Sequence, residues 1–232
     1  MRQVKRLTTA TDRTITVGLL KSFLRIDGDQ EDNFLLRLIE AAEERLEDYL
    51  SHGLLDESWV LKEDAPPRIR SYLDSRRGMS TASENTYYGS YGLEGSGSAP
   101  YYYYGWIPES IVIPIAPLRS VTHIKIFQDN NQEVTLDTAA YTVNTRGCHG
   151  EVIFDRGYTW PPEIRLVSGL EIEFISGYEN SDLVPRCLSH TVLEMAAYFY
   201  NNRGEGTEEQ LVRIMNHAEA FKSIDYQYGY PE

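Results

Sequence analysis

The first regular pattern in the chain is a pair of helical stripes of apolar residues. In TVGLLKSFLRIDG, apolar side chains recur at helical spacing after Thr16, a good helix cap, and the segment ends at Gly28. A longer stripe opens at Asp29 and continues over several turns to Gly53. Its apolar members are Leu35, Leu38, Ile39, Ala42, Leu46, Tyr49 and Leu50. The pattern predicts two consecutive amphipathic helices within residues 13–54.

A series of short strand-like runs follows, beginning near Trp59. These runs are rich in β-branched and aromatic residues, and turn residues such as Asp129-Asn130-Asn131 separate them. The clearest runs are IVIPIAPL, VTHIKIFQ, EVTLD, AYTVNT, GEVIFD and LEIEFISGY. Their number and spacing predict a small antiparallel β subdomain within residues 56–178.

The helical period returns after Pro185. A stripe runs from Leu188 to Phe199, and a further amphipathic helix is predicted from Thr207 to about Ala220. Because neither long stripe can be buried alone, we expect residues 13–54 and 183–220 to pack together as one helical unit. The predicted fold class is therefore α+β: a unit of antiparallel helices with an inserted small antiparallel β subdomain.

A loop rich in Tyr, Gly and Ser spans residues 75–106 of this β subdomain. It has few aliphatic residues and so cannot build a core of its own. Tyrosine supplies amphipathic contact area at low entropic cost, which favours a contact arm. The candidate residues of this arm are Tyr101, Tyr102, Tyr103, Tyr104 and Trp106. The alternative is a loop with no role in binding.

The C-terminal part of the chain offers a second candidate for binding. The apolar side of the last predicted helix has no obvious place in a two-helix core, and the tail 221–232 is expected to be flexible. Tyrosines on alternate residues of this tail would line one face of an extended chain. The candidate docking residues are Leu211, Ile214, Met215, Tyr226, Tyr228 and Tyr230. The alternative is a frayed tail without a partner.

Charge narrows the classes of function. The 232 residues carry a formal net charge of −13, which argues against a protein that grips nucleic acid by neutralising phosphates. An acidic wall is still compatible with DNA that passes without being held. The second predicted helix concentrates this charge, and its candidate acidic face consists of Glu40, Glu43, Glu44, Glu47 and Asp48. This face is either a solvated exterior or an electronegative surface that lines a passage or meets a basic partner.

No motif in the chain points to chemistry. None of the five histidines stands at metal-ligand spacing with another histidine or cysteine, and the adjacent side chains of Cys148 and His149 point apart. Nucleophile, phosphate-binding and HExxH motifs are absent. We therefore predict no catalytic, cofactor-binding or metal-binding residues, and the cofactor prediction is none. No stretch is apolar enough for a signal peptide or a membrane span, so a cytoplasmic origin is expected.

Three stretches together resemble a known family. They are TVGLLKSFLRID with DQEDNFLLRLIEAAEERLEDYL close behind, then IVIPIAPLRSVTHIKIF, and then GYENSDLVPRCLSHTVLEMAAYFYNNR. In this order they resemble the head–tail connector (adaptor) proteins of tailed bacteriophages. The resemblance covers most of the chain apart from the Tyr-rich loop, which is longer than expected for the family, and the stretch after Arg203.

The resemblance implies a structural protein of the virion and not an enzyme. The expected assembly is a homo-oligomeric ring, typically a dodecamer, that docks on the portal protein and presents a platform to a neck or tail-completion protein. The ring would extend the DNA channel without binding DNA specifically, and it would be assembled in the bacterial host cytoplasm. The C-terminal candidates would then dock on the portal. The alternatives are another neck or tail-completion protein and a soluble enzyme with an unrecognised site.

Overall fold

The structure is a computed structural model, and it describes residues 2–64, 110–146, 149–155, 158, 160, 164–165, 167–202 and 207–222. The helices are α1 (Val17–Leu24), α2 (Asp32–Leu50), α3 (Arg186–Asn202) and α4 (Glu208–Met215). The strands are β1 (Arg2–Arg6), β2 (Glu57–Glu63), β3 (Ser110–Val112), β4 (Leu118–Phe127), β5 (Glu133–Thr135), β6 (Tyr141–Asn144), β7 (Glu151–Phe154) and β8 (Leu170–Ser176). Helices and antiparallel strands together confirm the predicted α+β class.

The four helices enclose one apolar core. Thr16 caps α1 as predicted, because its hydroxyl accepts a hydrogen bond from the Leu19 N–H at 3.2 Å. The predicted stripes of α2 and α3 face each other, and Leu46 and Val192 are fully buried between them. Burial of each such side chain stabilises the fold by about 1.5–3 kcal/mol. The last helix is shorter than expected, since α4 continues from Asn216 as a 3-10 helix.

The β region forms two antiparallel sheets. The larger has the strand order β1-β2-β8-β4-β5, and the smaller has the order β3-β7-β6. Side chains alternate along β8, so that Ile172 and Phe174 are buried while Glu171 and Glu173 lie on the opposite face. The buried face of the large sheet and the small sheet share a second apolar core, separate from that of the helices.

The run IVIPIAPL is a strand only in its first part. Its residues Ile111 and Val112 belong to β3 of the small sheet, and the next strand, β4 of the large sheet, begins at Leu118. Pro114 and Pro117 explain the break, because a proline has no N–H to donate to a strand ladder.

Strand β1 was not predicted. Its sequence RQVKR is mostly charged, so no apolar alternation marks it as a strand. In the structure it pairs antiparallel with β2, from Arg2 opposite Glu63 to Arg6 opposite Trp59. Because β1 precedes the first helix, the large sheet is not built from residues 56–178 alone. The N-terminal segment therefore ties the sheet to the helical core.

Candidate functional site: the seam between helices and sheet

The predicted acidic face of α2 divides into two groups. Glu43 and Glu47 point inward and are only 8% and 7% exposed, whereas Glu44 and Asp48 are exposed and Glu40 lies between these extremes. The two buried carboxylates are one helical turn apart, so they lie on the same side of α2. That side faces the N-terminal segment and β2, across a cleft of about 280 Å³. Glu43 and Glu47 therefore neither form a solvated exterior nor line a passage, and the basic groups that they meet, Arg6 and Arg13, belong to the same subunit.

Arg6 is the centre of this seam. Its Nη2 lies 2.6 Å from Oε2 of Glu47, and its Nε lies 3.0 Å from Oε2 of Glu57. The guanidinium also stacks over the Trp59 ring, 4.7 Å from the ring centroid. One side chain of β1 thus bridges α2 and β2, the first strand after that helix. Oε1 of Glu47 adds a local bond by accepting the Leu54 N–H at 2.8 Å.

A second set of contacts fastens the segment between β1 and α1. Oε1 of Glu43 accepts the N–H of Thr14 at 2.7 Å and its hydroxyl at 2.6 Å. Arg13 forms an ion pair with Glu40 and lies 3.8 Å from the Glu43 carboxylate. Oε1 of Glu57 accepts the N–H of Ala10 at 3.0 Å. The N-terminal segment is therefore held by carboxylates of both α2 and β2.

Burial sets the electrostatics of these carboxylates. Loss of hydration raises the pKa of Glu47 to about 7, and repulsion by Glu57 adds to the effect. Burial also raises the pKa of Glu43 and of Glu57, although hydrogen bonds from Thr14 and Ala10 oppose the shift. Each of these carboxylates forms an ion pair with an arginine or accepts a hydrogen bond from a backbone N–H. The arrangement therefore serves as a joint between two parts of the subunit.

His52 forms a second joint just beyond the end of α2. Its Nε2 lies 3.2 Å from the hydroxyl of Tyr178, and its ring lies 5.8 Å from the rings of Tyr178 and Phe221. Burial lowers the pKa of His52 to about 4, so the imidazole is neutral at neutral pH. The joint connects α2, the end of β8 and the C-terminal 3-10 helix.

The C-terminal helix packs within the subunit. Leu211 and Met215 are 7% and 1% exposed in the helical core, and Ile214 is half-buried against it. The expectation that this apolar side has no place in the core is therefore wrong, because the core contains four helices and not two. Polar contacts reinforce the packing, including the Tyr49 hydroxyl at 3.0 Å from Asn216 Oδ1 and Lys222 at 4.3 Å from the Tyr49 ring centroid.

The aromatic candidates lie outside the described residues. They are Tyr226, Tyr228 and Tyr230 of the tail and Tyr101, Tyr102, Tyr103, Tyr104 and Trp106 of the loop. Their roles in portal docking and as a contact arm stay predictions.

Local sequence patterns do not indicate the residues that build the seam. Arg6, Arg13 and Glu57 were not singled out, since their partners lie 41, 27 and 47 positions away along the chain. Across the described residues, no group of three or more metal-binding side chains is placed to hold an ion, and no helix is long and apolar enough to cross a membrane.

Comparisons with known proteins agree with this architecture. Residues 14–84 match the model of the phage gp6-like head-tail connector protein family, so the match includes α1, α2 and β2. No curated protein matches the chain. The match confirms the resemblance to head–tail connector proteins that the sequence indicated.

Solved structures share the whole fold. A chain in the neck of an empty gene transfer agent (GTA) particle, computed with C6 symmetry, superposes with a TM-score of 0.68 at 18% identity, covering 99% of this chain and 100% of that one. A chain of the native GTA virion gives 0.63 at 18% identity with 95% of each covered, and one of the native GTA neck, computed with C12 symmetry, gives 0.62 at 17% identity with 99% and 100% covered. This likeness is one of fold, and it extends over the chain beyond residues 14–84 of the family match.

Proposed function

We propose that the protein is a head–tail adaptor whose copies form a closed ring between the portal and the neck or tail of a virion-like particle. The family match over residues 14–84 carries this proposal. The shared fold with chains from necks computed with C6 and C12 symmetry supports a ring oligomer in such a particle. The proposal further specifies that the ring contains twelve copies, that it docks on the portal, and that it is assembled in the bacterial host cytoplasm.

The seam gives the adaptor a physical basis. A ring subunit must carry loads from its neighbours and from the proteins above and below it, so its parts must move together. Arg6 couples α2 to β2 through Glu47 and Glu57, and His52 couples α2 to the C-terminal 3-10 helix. Because the chain carries a net charge of −13, the wall of the channel would repel DNA and not hold it.

We propose further that the protein acts without catalysis. The family that matches residues 14–84 is one of connector proteins, and the buried carboxylates of the seam contact Arg6, Arg13 and backbone N–H groups of the subunit itself. Another neck or tail-completion protein is the second candidate, because the GTA neck structures include the shared fold without fixing its position relative to the portal.

Deletion of the gene tests the position of the protein in assembly. We expect cells that lack it to accumulate heads without tails, and expect purified protein to co-sediment with cognate portal rings. The matched control is a Glu44→Gln variant, which changes one exposed charge of α2 and should restore tailed particles. Tailed, infectious particles in the deletion strain would contradict an adaptor. Binding to isolated tails but not to portals would favour the neck or tail-completion alternative.

A further inference from the structure

The large sheet has two open edges. In the order β1-β2-β8-β4-β5, the outer strands are β1 and β5, and no other strand of the described residues pairs with their outer sides. An unpaired strand edge carries free N–H and C=O groups and is a template for pairing with another chain. The two edges lie at opposite ends of one sheet, which is the arrangement that a head-to-tail contact between identical subunits requires.

The hydrogen bonds inside the sheet show which groups face outward. The Leu7 N–H donates to Ser58 O at 2.8 Å on the β2 side, and the Leu136 N–H donates to Ile124 O at 2.8 Å on the β4 side. Backbone groups alternate in direction along a strand, so the N–H groups of Val4 and Thr135 point away from the sheet. Both edges therefore offer backbone donors and acceptors to a neighbour.

The direction and the faces of the two edges are compatible. Four successive antiparallel steps make β1 and β5 parallel to each other, so a second copy in the same orientation would meet β5 with a parallel β1. In a parallel pair, directly opposite residues share a face, and only one of the two directs its backbone groups toward the partner strand. The backbone N–H and C=O of Val4 point away from its sheet, whereas those of Val134 point toward β4. The two residues can therefore stand opposite each other in a parallel pair, with the core-side faces of both sheets on the same side.

Side chains at the two edges complement each other. Val4 is 37% exposed and Val134 is 38% exposed, and each is the central residue of its strand. Their cross-strand partners Leu61 and Ile126 are fully buried, so both valines extend the core-side face of the sheet. Part of the charge of the two strands is neutralised within the subunit, because Arg2 pairs with Glu63, Arg6 with Glu47 and Glu57, and Glu133 with Lys125. The remaining charges are opposite in sign: the exposed Lys5 on β1, and the exposed Asp129 and Asp137 next to β5.

We propose that the ring closes by sheet continuation, in which β1 of one copy pairs in parallel with β5 of the next copy and Val4 stands opposite Val134. The partner is thus a second copy of this chain, and the inference rests on the proposed ring. The exposed Lys5 of one edge and the acidic residues next to the other favour this pairing, because β1 against β1 or β5 against β5 would place like charges together. Each subunit would contribute both edges of its large sheet, so a closed ring would leave neither of these edges exposed.

A proline at an outward-facing position tests the pairing. Thr135→Pro removes only an N–H that points away from the subunit, and an edge strand accepts proline at such a position. We expect the variant to keep the wild-type melting temperature but to form rings about tenfold less well, because backbone bonds to the neighbour are lost at every interface. The control Thr135→Ala keeps the N–H and should form rings as the wild type does. Rings of Thr135→Pro that equal those of the control would overturn the proposal.

Cysteine cross-linking provides a test that does not depend on how the proline is tolerated. Val4→Cys and Val134→Cys are combined in a chain whose Cys148 and Cys187 are replaced by serine, and the rings are oxidised. The two positions cannot meet within one subunit, so we expect covalent multimers up to the complete ring, and none from either single variant. Intact rings that yield only monomers would overturn edge pairing while leaving the adaptor ring in place. Wild-type protein that forms no ring on portals would defeat both proposals.

Discussion

At the scale of single residues, the seam is a set of buried charges that meet from distant parts of the chain. Arg6 contacts Glu47 and Glu57, and all three side chains lose most of their hydration there. A buried ion pair contributes little net stability, but removal of one partner leaves an unpaired charge and costs about 3–5 kcal/mol. We therefore interpret the seam as a device that fixes how helices and sheet meet.

Glu47 gives the seam a pH dependence. Its pKa rises from 4.5 to about 7 on folding, so the folded protein binds this proton more tightly than the unfolded chain. The resulting stabilisation is full below pH 4.5 and is lost as the pH rises toward 7. Glu47→Gln is neutral throughout and can still accept the Leu54 N–H, so its stability relative to wild type should increase across this window, by at most about 3 kcal/mol.

The measurement is urea unfolding of both proteins at several pH values across that window. Asp48→Asn, an exposed position on the same helix, is the control and should follow the wild type. His52 acts in the opposite sense, because its lowered pKa removes stability as the pH falls from 6.5 toward 4. It does so equally in all three proteins, so its contribution cancels in the difference between them. A constant offset between Glu47→Gln and wild type at every pH would contradict the assignment.

At the scale of elements, α4 belongs to the subunit core. Met215 is 1% exposed among the helices, so Met215→Asp buries an unpaired charge and should cost several kcal/mol. We expect a fall in melting temperature of about 10 °C or more. Arg213→Asp places the same charge on the exposed side of α4 and should change the melting temperature little. Equal melting temperatures for the two variants would show that α4 is not part of the core.

The burial of α4 also changes how portal docking should be tested. A truncation after Arg203 would remove Leu211 and Met215 from the core and would confuse docking with unfolding. A truncation after Lys222 removes only the end of the chain, with Tyr226, Tyr228 and Tyr230. We expect this shorter chain to melt like the wild type but to lose co-sedimentation with portal rings. Binding at wild-type strength would place the docking surface elsewhere on the subunit.

The elements differ in how far the sequence could predict them. The helices α2 and α3 were predicted because their apolar stripes continue over several turns. Strand β1 was missed because five mostly charged residues carry no such pattern and depend on β2 and on Arg6 for their stability. The acidic residues of α2 were noticed, but the burial of Glu43 and Glu47 follows from arginines far away in sequence. Propensity and periodicity do not report such pairs.

At the scale of the whole molecule, the N-terminal segment connects the two cores of the subunit to the edge that we propose for ring closure. Two apolar cores, one helical and one between the sheets, are joined through the N-terminal segment, so that β1 belongs to both the seam and the open edge of the sheet. A load that reaches β1 from a neighbouring copy would pass through Arg6 to α2. This connection links the seam to the proposed assembly.

The most direct test of the ring is the mass of the protein bound to its portal. Native mass spectrometry of purified portal rings, before and after addition of the protein, measures how many chains are added. We expect a single complex whose mass increases by twelve copies of the 26.6 kDa chain, with no partly filled species at saturation. An unchanged portal mass, or a broad series of masses that grows without limit as protein is added, would contradict a closed adaptor ring.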